Sequence, residues 1–296
     1  MDVDRQTELA IVRRAYSKQT LAAAGVNDPR IQAAFAAVPR EDFLGPGPWH
    51  IFQIPSSYVP TGDADPVLLY VNQVVGLVPE RGINNGQPSL HAMLLAAADI
   101  KEGDHVVHVG AGTGYYTAIM ASLAGPTGRV TAIEYDTTLA GRARANLAGN
   151  PTVRVLEGNG ATIPFDDADV IYVNAGVTHP VDTWLDALSE GGRMILPLTT
   201  DANIRPISPG QFDPTKFILS GVFFRIQRRA ETFAARWLLP TAIIPAEGVR
   251  DKTAEAALAA AFEKGGWKNV TRLVRGTEVP EDRCWLRGQS WCLAYD

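Results

Sequence analysis

Cysteine is nearly absent from the chain. Cys284 and Cys292 are the 2 in 296 residues, too few for a disulfide framework. On one continuous strand they would stand roughly 26 Å apart, beyond the reach of a bridge, and they meet only if Arg287-Gly288-Gln289 folds as a hairpin turn. Histidine is also scarce, at 5, and no grouping of His, Cys, Asp and Glu has metal-ligand spacing, so no metal is expected. His105 and His108 read as ordinary residues of a core strand. No apolar run is long enough to span a bilayer, so no membrane partner is expected. Met1-Asp2-Val3-Asp4-Arg5 lacks the basic region and apolar core of a secretory signal, and a cytoplasmic setting follows as the expectation. Charge of one sign is lacking too. Lys and Arg number 27 against 32 Asp and Glu, a net charge of -5, which leaves no electrostatic footprint for nucleic acid. The most basic stretch, Arg225 to Arg236, reads as a solvated strand face.

What the chain does have is a glycine-rich turn after a buried strand. His105-Val106-Val107-His108-Val109 leads into Gly110-Ala111-Gly112-Thr113-Gly114, and an amphipathic helix follows from Tyr115. Residues without side chains let a ligand approach the backbone, and the free N–H groups of a helix start favour an anion. A dinucleotide fingerprint needs glycine at position 115, where Tyr115 stands, which disfavours a nicotinamide oxidoreductase. The pattern present, G-x-G-x-G, has the spacing usual in S-adenosylmethionine (SAM) methyltransferases.

Strands at 105–109, 129–133, 153–156, 169–173 and 192–197 alternate with helices at about 115–123, 137–148 and 180–188. This predicts an α/β protein with a Rossmann-like, doubly wound, mostly parallel sheet, whose ligands bind at the carboxyl ends of the strands. Ahead of it lie helices over 5–24 and from the Asn27-Asp28-Pro29 cap to Val38, a packed aromatic loop at 44–66, and a strand or short hairpin at 67–78. After Pro197 come a loop at 199–215 and strands at 217–229 and 233–239. A helix at 252–264 and final strands at 269–274 and 284–295 complete a C-terminal α+β extension. No repeat or low-complexity linker interrupts the chain. The expected division is an N-terminal cap over 1–85, a core over 86–247 and an extension over 248–296, packed as one structural unit.

The strand ends carry the chemistry. Glu134 closes the second strand and suits both ribose hydroxyls of an adenosine, with Tyr135 placed for the adenine face. Asn159, between Gly158 and Gly160, either reaches an adenine amino edge or forms a plain turn. Asn174 faces the same edge of the sheet. His179 is either a base or a helix-start residue, and without an identified partner the second reading is preferred.

Several segments then occur in a recognisable order. They are Ala36-Ala37-Val38-Pro39-Arg40-Glu41-Asp42-Phe43, Gly86-Gln87-Pro88-Ser89, Val109 to Tyr115, Gly158-Asn159-Gly160, Pro164-Phe165-Asp166, Gly191 to Pro197, and Phe233-Ala234-Ala235-Arg236-Trp237 on to Pro245. Over roughly residues 30 to 247 the chain resembles the protein-L-isoaspartate O-methyltransferases. The resemblance implies a SAM-dependent enzyme of protein repair that methylates the carboxylate of isoaspartyl residues. It implies SAM held by Gly110, Ala111, Gly112, Thr113, Gly114, Glu134, Tyr135, Asn159, Gly160 and Asn174. Asn84, Asn85, Gln87 and Ser89 would border the transferred methyl. Catalysis is then mainly alignment and exclusion of water, and no strong base is needed.

Three departures stand out. The family's serine before the helix is Gly86 here, its usual Gly-Asp-Gly is Gly158-Asn159-Gly160, and the acidic residue ahead of the glycine turn is His108. They keep open two alternatives: a methyltransferase acting on a small molecule or pathway peptide, and a nucleoside-binding homologue without catalysis.

Overall fold

The computed structural model describes residues 3–53, 57–201, 220–276 and 278–296. In chain order these form α1 (Val3–Ala24), α2 (Pro29–Ala37), α3 (Glu41–Leu44), β1 (His50–Gln53), β2 (Ser57–Pro60), β3 (Gly76–Val78), β4 (Ile83–Asn84), α4 (Pro88–Ala98), β5 (His105–Val109), α5 (Tyr115–Ala124), β6 (Arg129–Glu134), α6 (Thr137–Leu147) and β7 (Val153–Glu157). There follow β8 (Ala168–Val173), α7 (Asp182–Asp186), β9 (Leu188–Thr199), β10 (Gly221–Arg229), β11 (Thr232–Thr241), α8 (Lys252–Lys264), β12 (Arg272–Arg275), β13 (Cys284–Arg287) and β14 (Trp291–Ala294). The chain groups into two compact units that share it alternately. One holds Met1–Asp104 and Ala111–Glu157, the other His105–Gly110 and Gly158–Asp296.

In the first unit the helices start where the sequence marks them. Asp28 accepts from Arg30 N at 2.8 Å ahead of Pro29, and Asp136 accepts from Leu139 N at 2.9 Å at the head of α6. The N-terminal helices bury Tyr16, Ile31, Ala34 and Phe35. Edge-to-face ring contacts run from Tyr16 to Tyr70 and from Phe35 to Tyr115 and Tyr116. Arg40 lies wholly buried among them, with its guanidinium 6.0 Å from the Tyr16 and Tyr115 ring centres. It donates to the carbonyls of Leu69 (2.6 Å), Val71 (3.0 Å) and Gln73 (2.9 Å) and to Asn85 Oδ1 (3.2 Å). β6 and β7 pair in parallel, Glu134 opposite Glu157.

Two expectations change here. The aromatic stretch at 44–66 contains the antiparallel hairpin β1–β2. The 67–78 segment is not one strand: Asp65 caps Val67 N at 2.9 Å and starts a 3₁₀ turn over Pro66–Leu69, which leaves β3 only from Gly76. β3 then pairs with β4 across the Pro79–Arg81 turn.

In the second unit β5, β8 and β9 pair in parallel, as an α/β alternation requires. Val106, Val107, Val170, Ile171, Tyr172, Val173 and Met194 to Leu196 are buried there, which is why these strands read as continuous apolar runs. From β9 onward the pairing turns antiparallel, through β10, β11, β12 and β14 to β13. α7 is shorter than expected because Leu188 already belongs to β9. Part of the 199–215 loop and the start of the 217–229 strand lie outside the described residues. Among the described residues no helix is long and apolar enough to cross a membrane, and no group of His, Cys, Asp and Glu could hold a metal.

Of the two arrangements open to the cysteines, the hairpin is the one observed. β13 and β14 turn at Gly288, where an added Cβ would stand 2.3 Å from the Trp291 ring, and the strands carry Cys284 and Cys292 into a disulfide with Cα atoms 6.0 Å apart. Both residues are buried. The ring closed spans a sequence separation of 8, so reduction is expected to lower unfolding stability by about 2–3 kcal/mol. Thermal melts with and without reductant test this, and the Cys284→Ser/Cys292→Ser double variant should reproduce the reduced melt in both.

Candidate active site

The first unit assembles a site around the turn after β5. Ala111 N bonds Ile133 O at 3.2 Å, which ties the turn to the end of β6. Gly112 and Gly114 have φ of 57° and 97°, a region side chains avoid. Their reasons differ. At Gly114 a Cβ would press on Leu147 Cδ1 at 2.7 Å, so that glycine lets α6 close in. At Gly112 a Cβ would make an ordinary contact with Leu77 Cδ1 of the β3–β4 hairpin, at 3.5 Å, so there the positive φ, and not crowding, is what favours glycine. Thr113 is buried and its carbonyl takes Asn146 Nδ2 at 2.9 Å.

Glu134 stands against this turn. Its Oε2 accepts from Gly112 N at 2.7 Å and its Oε1 from Asp136 N at 2.9 Å. Each carboxylate oxygen keeps a further lone pair for a ligand hydroxyl. Burial pushes the carboxyl above the usual carboxylate range, while the two backbone N–H bonds hold it partly back. Tyr135 beside it is 48% exposed, an unusual position for an aromatic ring and one that suits a flat ligand. Arg81, at the tip of the β3–β4 hairpin, pairs with Asp136 at 2.5 Å and brings that hairpin to the same strand end.

The 84–89 loop is also in this unit, and its polar residues divide their work. Asn84 folds on itself, accepting from Gly86 N at 2.9 Å and donating to Gly82 O at 3.1 Å. Asn85 is buried, with Oδ1 accepting from Arg40 and from Val75 N at 3.1 Å. Gln87 is exposed at the head of α4 and makes no side-chain cap. Ser89 is buried, and its N–H donates to Asn72 Oδ1 at 2.9 Å. Asn72 thus caps α4 from a distant loop, a role the sequence did not announce. Gly86 has φ of 74°, and a Cβ there would stand 2.3 Å from His91 Nε2. The His91 ring, stacked on Tyr116 at 3.5 Å, occupies the space a serine side chain would need on this backbone.

The second unit places the remaining expected residues. Gly110, with φ of 80°, lies 3.2 Å from Asn174 O as measured from an added Cβ, and Asn174 donates from Nδ2 to Gly110 O at 3.3 Å. At Gly160 a Cβ would stand 2.5 Å from Val109 Cγ1, so this glycine is a packing requirement. Asn159 had two readings. Of the two, the structure has the turn: Oδ1 accepts from Ala161 N, and Nδ2 donates to Gly248 O of a distant segment, both at 2.8 Å. His108 is fully buried, edge-on to Tyr172 at 5.6 Å, and burial pushes its imidazole down to about 3. It is therefore neutral at ordinary pH and supplies no charge in place of the family's acid. His179 lies 3.0 Å from Thr178 Oγ1, and burial lowers its pKa, with Asp251 and Asp182 opposing.

The sequence profile of the protein-L-isoaspartate(D-aspartate) O-methyltransferase family matches residues 17–208. Protein-L-isoaspartate O-methyltransferase 1 of Rhodopseudomonas palustris is 32% identical over 202 residues, covering 67% of this chain and 74% of that protein. Protein-L-isoaspartate O-methyltransferase of Thermotoga maritima is 34% identical over 178 residues, covering 59% of this chain and 51% of that one. Among solved structures, a protein-L-isoaspartate O-methyltransferase shares the fold at a TM-score of 0.58 and 23% identity, over 90% of this chain and 74% of its own. A Plasmodium falciparum relative in complex with S-adenosyl-L-homocysteine matches at 0.58 and 17%, over 79% of this chain and 97% of its own. With that profile match and a relative above 30% identity over most of its length, the chain belongs to the protein-L-isoaspartate O-methyltransferase family.

Proposed function

We infer that this chain transfers a methyl group from SAM to a carboxylate oxygen, that of an isoaspartyl residue in a protein or peptide. The observation that carries the reading is the Glu134 carboxylate, fixed by Gly112 N and Asp136 N against the glycine turn. These residues fit an adenosine: Glu134 would take the ribose hydroxyls and the exposed Tyr135 ring the adenine. When bound, SAM supplies an electrophilic methyl on a sulfonium. An acceptor carboxylate is already an anion, so its oxygen bonds the methyl carbon as the carbon–sulfur bond breaks, and no proton moves. The chain therefore has to orient the acceptor and keep water out, tasks assigned to the 84–89 loop and the β3–β4 hairpin beside it. No side chain need act as a base.

The test is transfer of labelled methyl from SAM to an isoaspartyl peptide, with the matching aspartyl peptide as control and calorimetry for SAM and S-adenosylhomocysteine. Label as an ester on the isoaspartyl peptide alone is the expected result. Gly86 favours one second reading, because His91 stands where the family's serine side chain would be. Label that enters another carboxylate in cell extract, and never the peptide, marks a diverged acceptor. Cofactor binding with no transfer to anything marks a non-catalytic homologue.

A further inference from the structure

The 84–89 loop contains a buried donor that its surroundings do not use. Asn85 is 7% exposed, and among the described residues its Nδ2 has no hydrogen-bond partner. Its orientation is not ambiguous. Oδ1 takes two N–H donors, Arg40 Nη2 at 3.2 Å and Val75 N at 3.1 Å, and the amide nitrogen could accept from neither. The backbone is held as well, through Asn85 N to Val75 O at 3.0 Å. An unsatisfied buried donor costs stability, so one that persists this firmly oriented calls for a role. The neighbouring residue is Gly86, where no side chain fits on this backbone. The loop thus lacks a hydroxyl at 86 and carries a fixed, unused N–H₂ at 85.

We propose that Asn85 Nδ2 is the group that orients the acceptor carboxylate, donating to one of its oxygens while the other takes the methyl. The proposal rests on the functional reading above and adds to it the identity of the donor. Because Nδ2 is covered in the structure, the groups that cover it must move aside on binding while Arg40 and Val75 keep hold of Asn85. The positive φ of Gly86 puts a residue of wide conformational range next to it. The transfer is balanced as before: one carbon–oxygen bond forms, one carbon–sulfur bond breaks, and Asn85 keeps its protons.

Asn85→Asp separates this role from a structural one. It keeps an oxygen for Arg40 and Val75 N and replaces only the free N–H₂. The expected variant melts at or above the wild-type temperature and binds SAM within about twofold of wild type. It loses roughly 10- to 100-fold in kcat/KM on the isoaspartyl peptide, the effect of one hydrogen bond to a charged group. A second measurement leaves the chain unaltered. In the wild-type protein saturated with S-adenosylhomocysteine, the Asn85 side-chain amide signals in a ¹⁵N spectrum should shift with isoaspartyl peptide and stay still with aspartyl peptide. Asn85→Asp retaining full activity, or amide signals that do not move, overturns the proposal alone. A wild-type chain that transfers nothing to the peptide overturns the functional reading and this proposal with it.

Discussion

Replacing Arg40 with methionine is expected to lower the unfolding free energy by about 3–5 kcal/mol, a large part of what a domain has. The guanidinium is wholly buried and makes four donor contacts, to Leu69, Val71, Gln73 and Asn85. Methionine fills much of the volume but leaves three carbonyls and one amide oxygen without that donor. It also removes the cation from between the Tyr16 and Tyr115 rings. Lysine should recover only part of the loss, because one compact ammonium cannot span acceptors that a planar fork reaches. Urea unfolding at constant slope checks the size of the effect. A loss below about 1 kcal/mol would show that the 69–73 segment re-satisfies itself without Arg40.

The second large effect concerns Glu134. Changing it to alanine is expected to weaken SAM and S-adenosylhomocysteine binding by roughly 100-fold, two hydrogen bonds to a charged acceptor at about 1.5 kcal/mol each. Calorimetry with both ligands measures it, and affinities within threefold of wild type would remove Glu134 from the ligand. Acidity gives an independent readout. Burial is the chief cause of the raised carboxyl pKa, so the group protonates at higher pH than an ordinary glutamate. Ligand affinity should therefore fall on acidification beginning above the usual carboxylate range. The stability sign is opposite. A carboxyl whose folded pKa is raised stabilises the fold in acid, and that contribution is lost as pH rises through the folded value. Affinity and stability should thus move in opposite directions across this titration.

Some of this was legible because the determinants are local. The apolar run ending at Val109, three spaced glycines and the Asp28-Pro29 and Asp136 caps each act over a few residues, and the elements form where they point. The place of Glu134 against the glycine turn was legible because a strand end has a fixed place in such folds. What sequence hid was reach. Asn72 caps Ser89 across 17 positions, and Arg40 binds Asn85 across 45. Asp65 heads the 3₁₀ turn that takes this apolar stretch out of strand, with its side chain capping Val67 N and its carbonyl accepting from Leu68 N. Asn159 sat between glycines as a ligand amide would, and its Nδ2 found its partner only where the chain returns at Gly248. The signal for His91 was present three places after Pro88, but its meaning depends on Gly86 having no side chain.

The alternating division of the chain bears on how the protein is made. β5 belongs with residues 158–296, although it is synthesised between two segments that belong with each other. A nascent chain that has reached Glu157 can complete the 1–104 and 111–157 grouping, but β5 then still lacks β8, its parallel partner within its own unit. An apolar strand whose β8 edge is still unpaired is open to pairing with the wrong chain. High sequence separation of native contacts slows folding, so β5 should reach its pairing with β8 late. Its demand on chaperones would then be set by the interval between synthesis of Val109 and of Ala168.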